Sequence, residues 1–334
     1  NLKRIHRNIG LGRDLDRNDY PKLRMKNMLL LAFGQRKMIN RPVVGILHLV
    51  VYVGFILINI ELLEILLDGI FGTHRLFAPY LGSLYNFLIA MFEIFALLVL
   101  VAVIFFWTRR NVSKIKRFWK SEMKGWPKQD ADNILYFEVI LMVLFLSMNA
   151  TDSLLQNFGA ESYIKAGSFP VSQFLTPLFE EFKLETLIIL ERSFWWLHII
   201  GIFAFLNYLY YSKHLHILLA FPNTYFANLE IKGKFRVNPN IKSEVQLMLN
   251  PQASIPESSS TIPEKFGATD VFDLSWVQLM NSYSCTECGR CSSECPANIT
   301  GKKLSPRAIM MKTRDRLEEV GENINKNGGK FISD

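Results

Sequence analysis

Four cysteines and three histidines are the residues whose types and spacing could do chemistry. Every cysteine of the chain falls in one stretch, CTECGRCSSECP, as Cys285, Cys288, Cys291 and Cys295. The spacing C-x2-C-x2-C-x3-C-P is the ferredoxin-type [4Fe-4S] pattern, in which three close thiolates hold three corners of a cubane. In two-cluster ferredoxins the fourth cysteine serves the other cluster. Cys295 is therefore expected either to ligate a second cluster or to close the same one. A zinc knuckle is the plain alternative, but zinc sites usually separate two cysteine pairs by a longer loop. No cysteine is left for a disulfide framework, so one metal site in a reducing compartment is expected. No second motif occurs, and the helix and tail that follow read as half of a domain. The iron–sulfur domain is thus expected to be incomplete at Asp334.

The histidines lie in or beside apolar runs. His198 and His216 are 18 residues apart in LERSFWWLHIIGIFAFLNYLYYSKHLHILLAFPN. On one continuous helix over Thr186–Leu219 that is five turns, placing both imidazoles on one stripe about 27 Å apart. His214 falls about 160° away from that stripe. An imidazole at membrane depth is costly and marks a function, and haem iron takes axial histidines. His48, about two turns into the first apolar run, matches His216 in depth. His48 and His216 are the expected bis-histidine pair for a b-type haem. His198 would need a partner near Ile58 and Asn59, neither of which ligates haem well, and could instead bond a quinone oxygen. Plain readings stay open: a buried, hydrogen-bonded His48, an interfacial His216 and a structural His198. Acidic groups also sit at membrane depth, Glu61, Glu64, Glu93 and the Glu191-Arg192 pair, and read as a proton route or quinol site, or as structural ion pairs.

Half of the 334 residues are hydrophobic, 26 are Phe, and a fifth are charged. That mixture reads as a membrane section joined to a polar one. Four spans are expected near 43–67, 84–107, 134–156 and 186–217. The net charge of +8 is spread beside apolar segments rather than in one patch, which argues against nucleic acid and fits the positive-inside rule. Residues 1–42 and the 109–128 loop are basic and expected to be cytoplasmic. The 152–185 loop is mostly acidic and expected outside, with the His74-Arg75 turn. The expected organisation is a basic segment (1–42), a transmembrane bundle (43–220), a connector and linker (221–270) and an iron–sulfur domain (271–334). Residues 222–245 show some strand character, and Asn250–Asp270, rich in Pro and Ser, reads as a linker. A short helix is expected from Asp273 to Tyr283. Another starts at the N-cap Ser305 with Pro306 first and ends near Gly321.

The spans and histidines resemble the cytochrome b (gamma) subunit of respiratory nitrate reductase and its relatives in heterodisulfide reductase complexes. That family carries two haem-ligating histidines 18 apart on its last helix, matched by His198 and His216, and two more ten apart on an earlier one. His48 matches the first of these, and Ile58 stands in place of the second. The tail, CTECGRCSSECP followed by LSPRAIMMKTR, resembles the iron–sulfur subunit of heterodisulfide reductase and of anaerobic glycerol-3-phosphate dehydrogenase. Fusions of both parts include membrane-bound oxidoreductases linking electron-transfer flavoprotein to menaquinone. The resemblance implies an all-α membrane four-helix bundle of cytochrome b type followed by a small α-helical ferredoxin-like domain. It also implies one retained haem b, [4Fe-4S] clusters at Cys285, Cys288, Cys291 and Cys295, menaquinone or ubiquinone as substrate, and a soluble redox partner such as electron-transfer flavoprotein. The setting is the bacterial cytoplasmic membrane, with the N-terminus and cysteines inside. A haem-free ferredoxin-type assembly factor and a pure relay or anchor subunit are the alternatives.

Overall fold

The computed structural model describes residues 2–231, 233–234, 239–250 and 267–333. Among them every regular element is helical, apart from one isolated bridge between Arg13 and Ser275. The strand character expected within 222–245 is not found. His216–Tyr225 and Pro239–Leu249 are helices, while 232 and 235–238 lie outside the described residues. Most of the expected linker, 251–266, also lies outside them. The chain forms two compact units, 35–214 and 1–34 with 215–334.

The first unit holds four helices long and apolar enough to cross a membrane: Pro42–Phe71, Ser83–Asn111, Trp126–Asn157 and Leu184–Tyr211, the last ending in a 3-10 turn. A helix suits this setting because it satisfies its backbone polar groups internally where no water can. Pro42 sits in the first turn of the first helix, where a missing N–H costs nothing, and Gly72 ends it in the left-handed conformation. The second helix packs against both the first and the third, and the third against the fourth. Tyr85, Ile89, Phe92, Ala96, Val99 and Val103, spaced three or four apart, form its buried stripe. They meet Leu141, Phe145 and Met148 of the third helix and Trp195 and Ile199 of the fourth. The opposite faces expose Ile46, Ile60, Leu63, Phe87, Val101 and Ile104, as surfaces facing hydrocarbon do.

The fourth helix departs from the continuous one expected over Thr186–Leu219. Its regular turns stop at Tyr208, Ser212 is extended (φ −105°, ψ 150°), and a new helix opens at His216. The cause is Asp130, buried in the third helix. Its carboxylate accepts from the Lys213 backbone N–H (3.0 Å) and from the Tyr208 hydroxyl (2.6 Å), while Lys213 Nζ donates to the Pro127 carbonyl (2.6 Å). The N–H that would continue the helix is taken by a charged acceptor, which makes the stronger bond. Counting five turns from His198 to His216 therefore fails, and the shared stripe with it.

The second unit is assembled from both ends of the sequence. Helix Leu2–Ile9 packs on Trp276–Tyr283 and on Pro306–Lys326. Fully buried Asn8 donates to the Tyr283 hydroxyl (2.9 Å), Tyr283 donates to Glu318 (2.5 Å), and Arg4 pairs with Glu318 (2.7 Å). Arg13 exchanges backbone bonds with Leu274 and Trp276 (2.8 and 3.1 Å). Arg24, fully buried, donates to the carbonyls of Asp19, Tyr225 and Ala227 and pairs with the Asp19 carboxylate (2.5 Å), closing the end of the His216–Tyr225 helix. Residues 1–34, most of the expected basic segment 1–42, thus group with 215–334 in the cysteine-bearing unit.

Two further elements differ in extent. The expected 273–283 helix starts at Trp276 behind a capping box of Ser275 and Gln278, after a short turn over Val271–Asp273. The last helix starts as expected, with Ser305 Oγ accepting from Ala308 N (3.3 Å) and Pro306 first, but runs past Gly321 to Lys326. Gly321 is a point of close approach and not a stop: a Cβ there would lie 2.5 Å from the Asn8 amide. Gly321→Ala should accordingly destabilise this unit by about 1–3 kcal/mol, and in an Asn8→Ala background the penalty should largely vanish. Chemical denaturation of the wild type, the two single variants and the double variant tests this.

Candidate functional site

The cysteine loop follows the Trp276–Tyr283 helix. Cys285 and Cys288 lie in the turn, Cys291 in the short helix Arg290–Ser293, and Cys295 at the N-cap of Pro296–Ile299. Two residues of the turn take positive φ, Glu287 (54°) and Gly289 (72°). Glycine does so without strain, whereas Glu287 must be held there. Its carboxylate is buried and pairs with Arg314 of the last helix (2.7 Å), and Arg307 donates to its carbonyl (3.4 Å). Burial alone would lower the Arg314 pKa, yet Glu287 beside it holds it above the ordinary value. The turn also presents the Glu287 N–H to Cys285 Sγ at 3.4 Å, and burial pushes the Cys285 thiol up.

An N–H aimed at sulfur, a tight left-handed turn and four soft donors within eleven positions fit an iron–sulfur cluster in donor chemistry. Among the described residues, the cysteine side chains are not gathered into a metal-holding group, nor are any three His, Asp or Glu. The structure therefore brings the four thiols onto one loop without closing them around a point.

The histidines divide between the units. His48 is half-buried on the first long helix, and His216 opens its own helix in the cysteine unit. His198 is buried at mid-length of the fourth helix, and its Nδ1 lies 3.1 Å from the Leu141 carbonyl oxygen. A carbonyl only accepts, so Nδ1 carries the proton and Nε2 keeps its lone pair.

The acidic residues singled out at membrane depth are partnered. Arg75 and His74, in the turn after the first long helix, fold back onto the helices. Arg75 is 6 % exposed and binds Asp152 (2.6 Å), the Asn149 side chain (2.9 Å) and Glu61 (3.4 Å), with His74 Nε2 2.9 Å from Asp152. Glu64 accepts from the Tyr85 hydroxyl and the Phe77 N–H (both 2.8 Å). Glu93 accepts the backbone N–H groups of Val171 (2.9 Å) and Ser172 (3.1 Å) and the Asn149 amide (3.2 Å), tying the 158–183 loop to the bundle. Glu191 pairs with Arg192 (2.5 Å) and accepts from Tyr163 (2.8 Å). These contacts favour the structural reading of those acids over a proton route. Sequence reasoning passed over Asp152 and Asn149, because a single Asp or Asn near a helix end carries no signal until its arginine is known. Arg75→Met would leave Asp152 buried without its cation, and should cost about 3–5 kcal/mol of bundle stability, measurable as a lowered melting midpoint in detergent.

A thiol loop of iron–sulfur type in a chain with four apolar helices defines the class, and two relatives support an iron–sulfur oxidoreductase family. A protein named as a probable iron-sulfur-binding oxidoreductase, FadF, of Bacillus subtilis (strain 168) is 27% identical over 300 residues, 90% of this chain and 38% of its own. The EtfAB:quinone oxidoreductase of Syntrophomonas wolfei subsp. wolfei (strain DSM 2245B / Goettingen) is 25% identical over 304 residues, 89% of this chain and 38% of its own. This chain thus spans well under half the length of either relative. No family model matches it, and no solved structure does.

Proposed function

We propose that this chain is the membrane-embedded, electron-carrying part of a quinone-linked iron–sulfur oxidoreductase. The observation that carries the reading is the C-x2-C-x2-C-x3-C-P loop, folded on a positive-φ turn with an N–H aimed at sulfur, in a chain with four apolar helices. Cys285, Cys288 and Cys291 would hold one cluster, with Cys295 closing it or serving a second. His48 and His216 are proposed as axial ligands of a b-type haem, on their sequence depths. When bound, these groups supply one-electron chemistry. The chain's residues set what surrounds them. The Glu287–Arg314 pair fixes the loop on the last helix, with Cys285, Cys288 and Cys295 partly buried and Cys291 exposed.

The name of the Syntrophomonas relative supports electron-transfer flavoprotein as soluble partner and a membrane quinone, menaquinone or ubiquinone, as the lipid-soluble one. The basic 109–128 loop supports a cytoplasmic cysteine unit in the bacterial cytoplasmic membrane. Purification under argon tests the reading. Dithionite should produce an iron–sulfur EPR signal and the α band of a reduced b-type haem. Cys288→Ser should abolish or alter the EPR signal. His216→Ala should remove the haem band and leave EPR intact, and unchanged haem content would refute that ligand.

A further inference from the structure

At mid-depth of the 35–214 unit, the first, third and fourth helices line a cavity of about 70 Å³. Its walls are apolar except for three side chains, Asn59, Glu138 and His198. Glu138 differs from Glu61, Glu64, Glu93, Asp152 and Glu191. Each of those has a hydrogen-bond or ion-pair partner, whereas Glu138 has neither among the described residues. A carboxyl at membrane depth is costly without a partner, so one left facing a cavity points to a ligand that completes it. His198 lines the same cavity with its Nδ1 committed to Leu141 and its Nε2 lone pair unspent. Asn59 donates to the Phe55 carbonyl (2.5 Å), which leaves its amide oxygen as a further acceptor. Ile58 also lines the cavity. The imidazole of His198 therefore shares this space with an aliphatic side chain and no second histidine, which suits a hydrogen-bonded ligand better than bis-histidine iron. Asn59 and Leu206 at the margin are exposed, giving access from the face that meets hydrocarbon.

We propose that this cavity binds the headgroup of a membrane quinol, with Glu138 and His198 as its two proton acceptors. The proposal rests on the quinone-linked reading above and names its site. A p-quinol has two hydroxyl donors. The cavity offers a carboxylate and an imidazole Nε2 to accept them, among apolar walls that suit the ring and lipid tail. Oxidation balances as quinol to quinone with two electrons and two protons released. The electrons leave singly to the one-electron carriers proposed above, and one proton passes to the Glu138 carboxylate and one to His198 Nε2. Reduction of the quinone runs the same steps backwards.

The test uses the full chain with its cofactors in lipid nanodiscs, titrated with a fluorescent hydroxyquinoline N-oxide as quinol analogue. The wild type should quench the probe on binding. Glu138→Gln and His198→Gln should each weaken binding about tenfold or more, about 1.4 kcal/mol. Ile58→Phe, which fills the cavity with apolar volume and leaves Glu138 and His198 in place, should abolish it. The haem band should be unchanged in all three. Wild-type affinity in both polar variants overturns the proposal, and so does loss of a haem band in His198→Gln, which would make the cavity a haem pocket. Neither result touches the broader reading. A wild type that binds no probe and exchanges no electrons with a short-chain quinol defeats that reading itself.

Discussion

Charge in a place without water needs a partner, and the four-helix unit is arranged around that requirement. Arg75 is the central case. Brought inward by the turn after the first helix, it joins Asp152, Asn149 and Glu61 in one cluster, so that helices one and three are tied through a single guanidinium. A buried arginine with several acceptors is stable only as a set, since removing one member strands the others. Glu93 extends the same logic to the 158–183 loop by taking two of its backbone N–H groups. Against this background Glu138 differs from these acids, having no hydrogen-bond or ion-pair partner among the described residues.

The cysteine unit meets a different constraint. Its small helices bury little apolar surface alone, and short domains of that kind need extra contacts to hold together. Here the contacts come from residues 2–34, through Asn8, Arg13 and the buried Arg24. The thiol loop is then held at a strained residue, Glu287, by a buried ion pair to the last helix. Strain of this sort persists only where the surroundings over-determine it.

Much of this was legible in the residues alone, and the rest was hidden for specific reasons. The four long helices follow from uninterrupted apolar runs, and the cysteine loop and the Ser305-Pro306 start follow from local spacing. The break at Ser212 could not be read locally, because the acceptor that causes it, Asp130, lies on another helix. The basic N-terminal residues read as a topology signal, but lysine and arginine counts do not show that Arg24 is buried. Gly321 looked like a helix end because glycine often is one, and only the amide of Asn8 lying against it explains its place. Glu138 lies inside an expected span like the other acids, and its lack of a partner among the described residues becomes visible only when Glu61, Glu64, Glu93, Asp152 and Glu191 are seen to have theirs.

Because the cysteine unit draws on segments before and after the four spans, its assembly has an enforced order. During synthesis the residues that hold Asn8 and Arg24 emerge before any of the four spans, while their partners Tyr283, Tyr225 and Ala227 emerge after all of them. The early segment must wait, unsatisfied, through the whole of membrane insertion before its counterparts exist. The thiol loop is therefore completed only after the four spans have been made. A chain stalled midway through insertion would carry neither a completed loop nor a surface able to receive one.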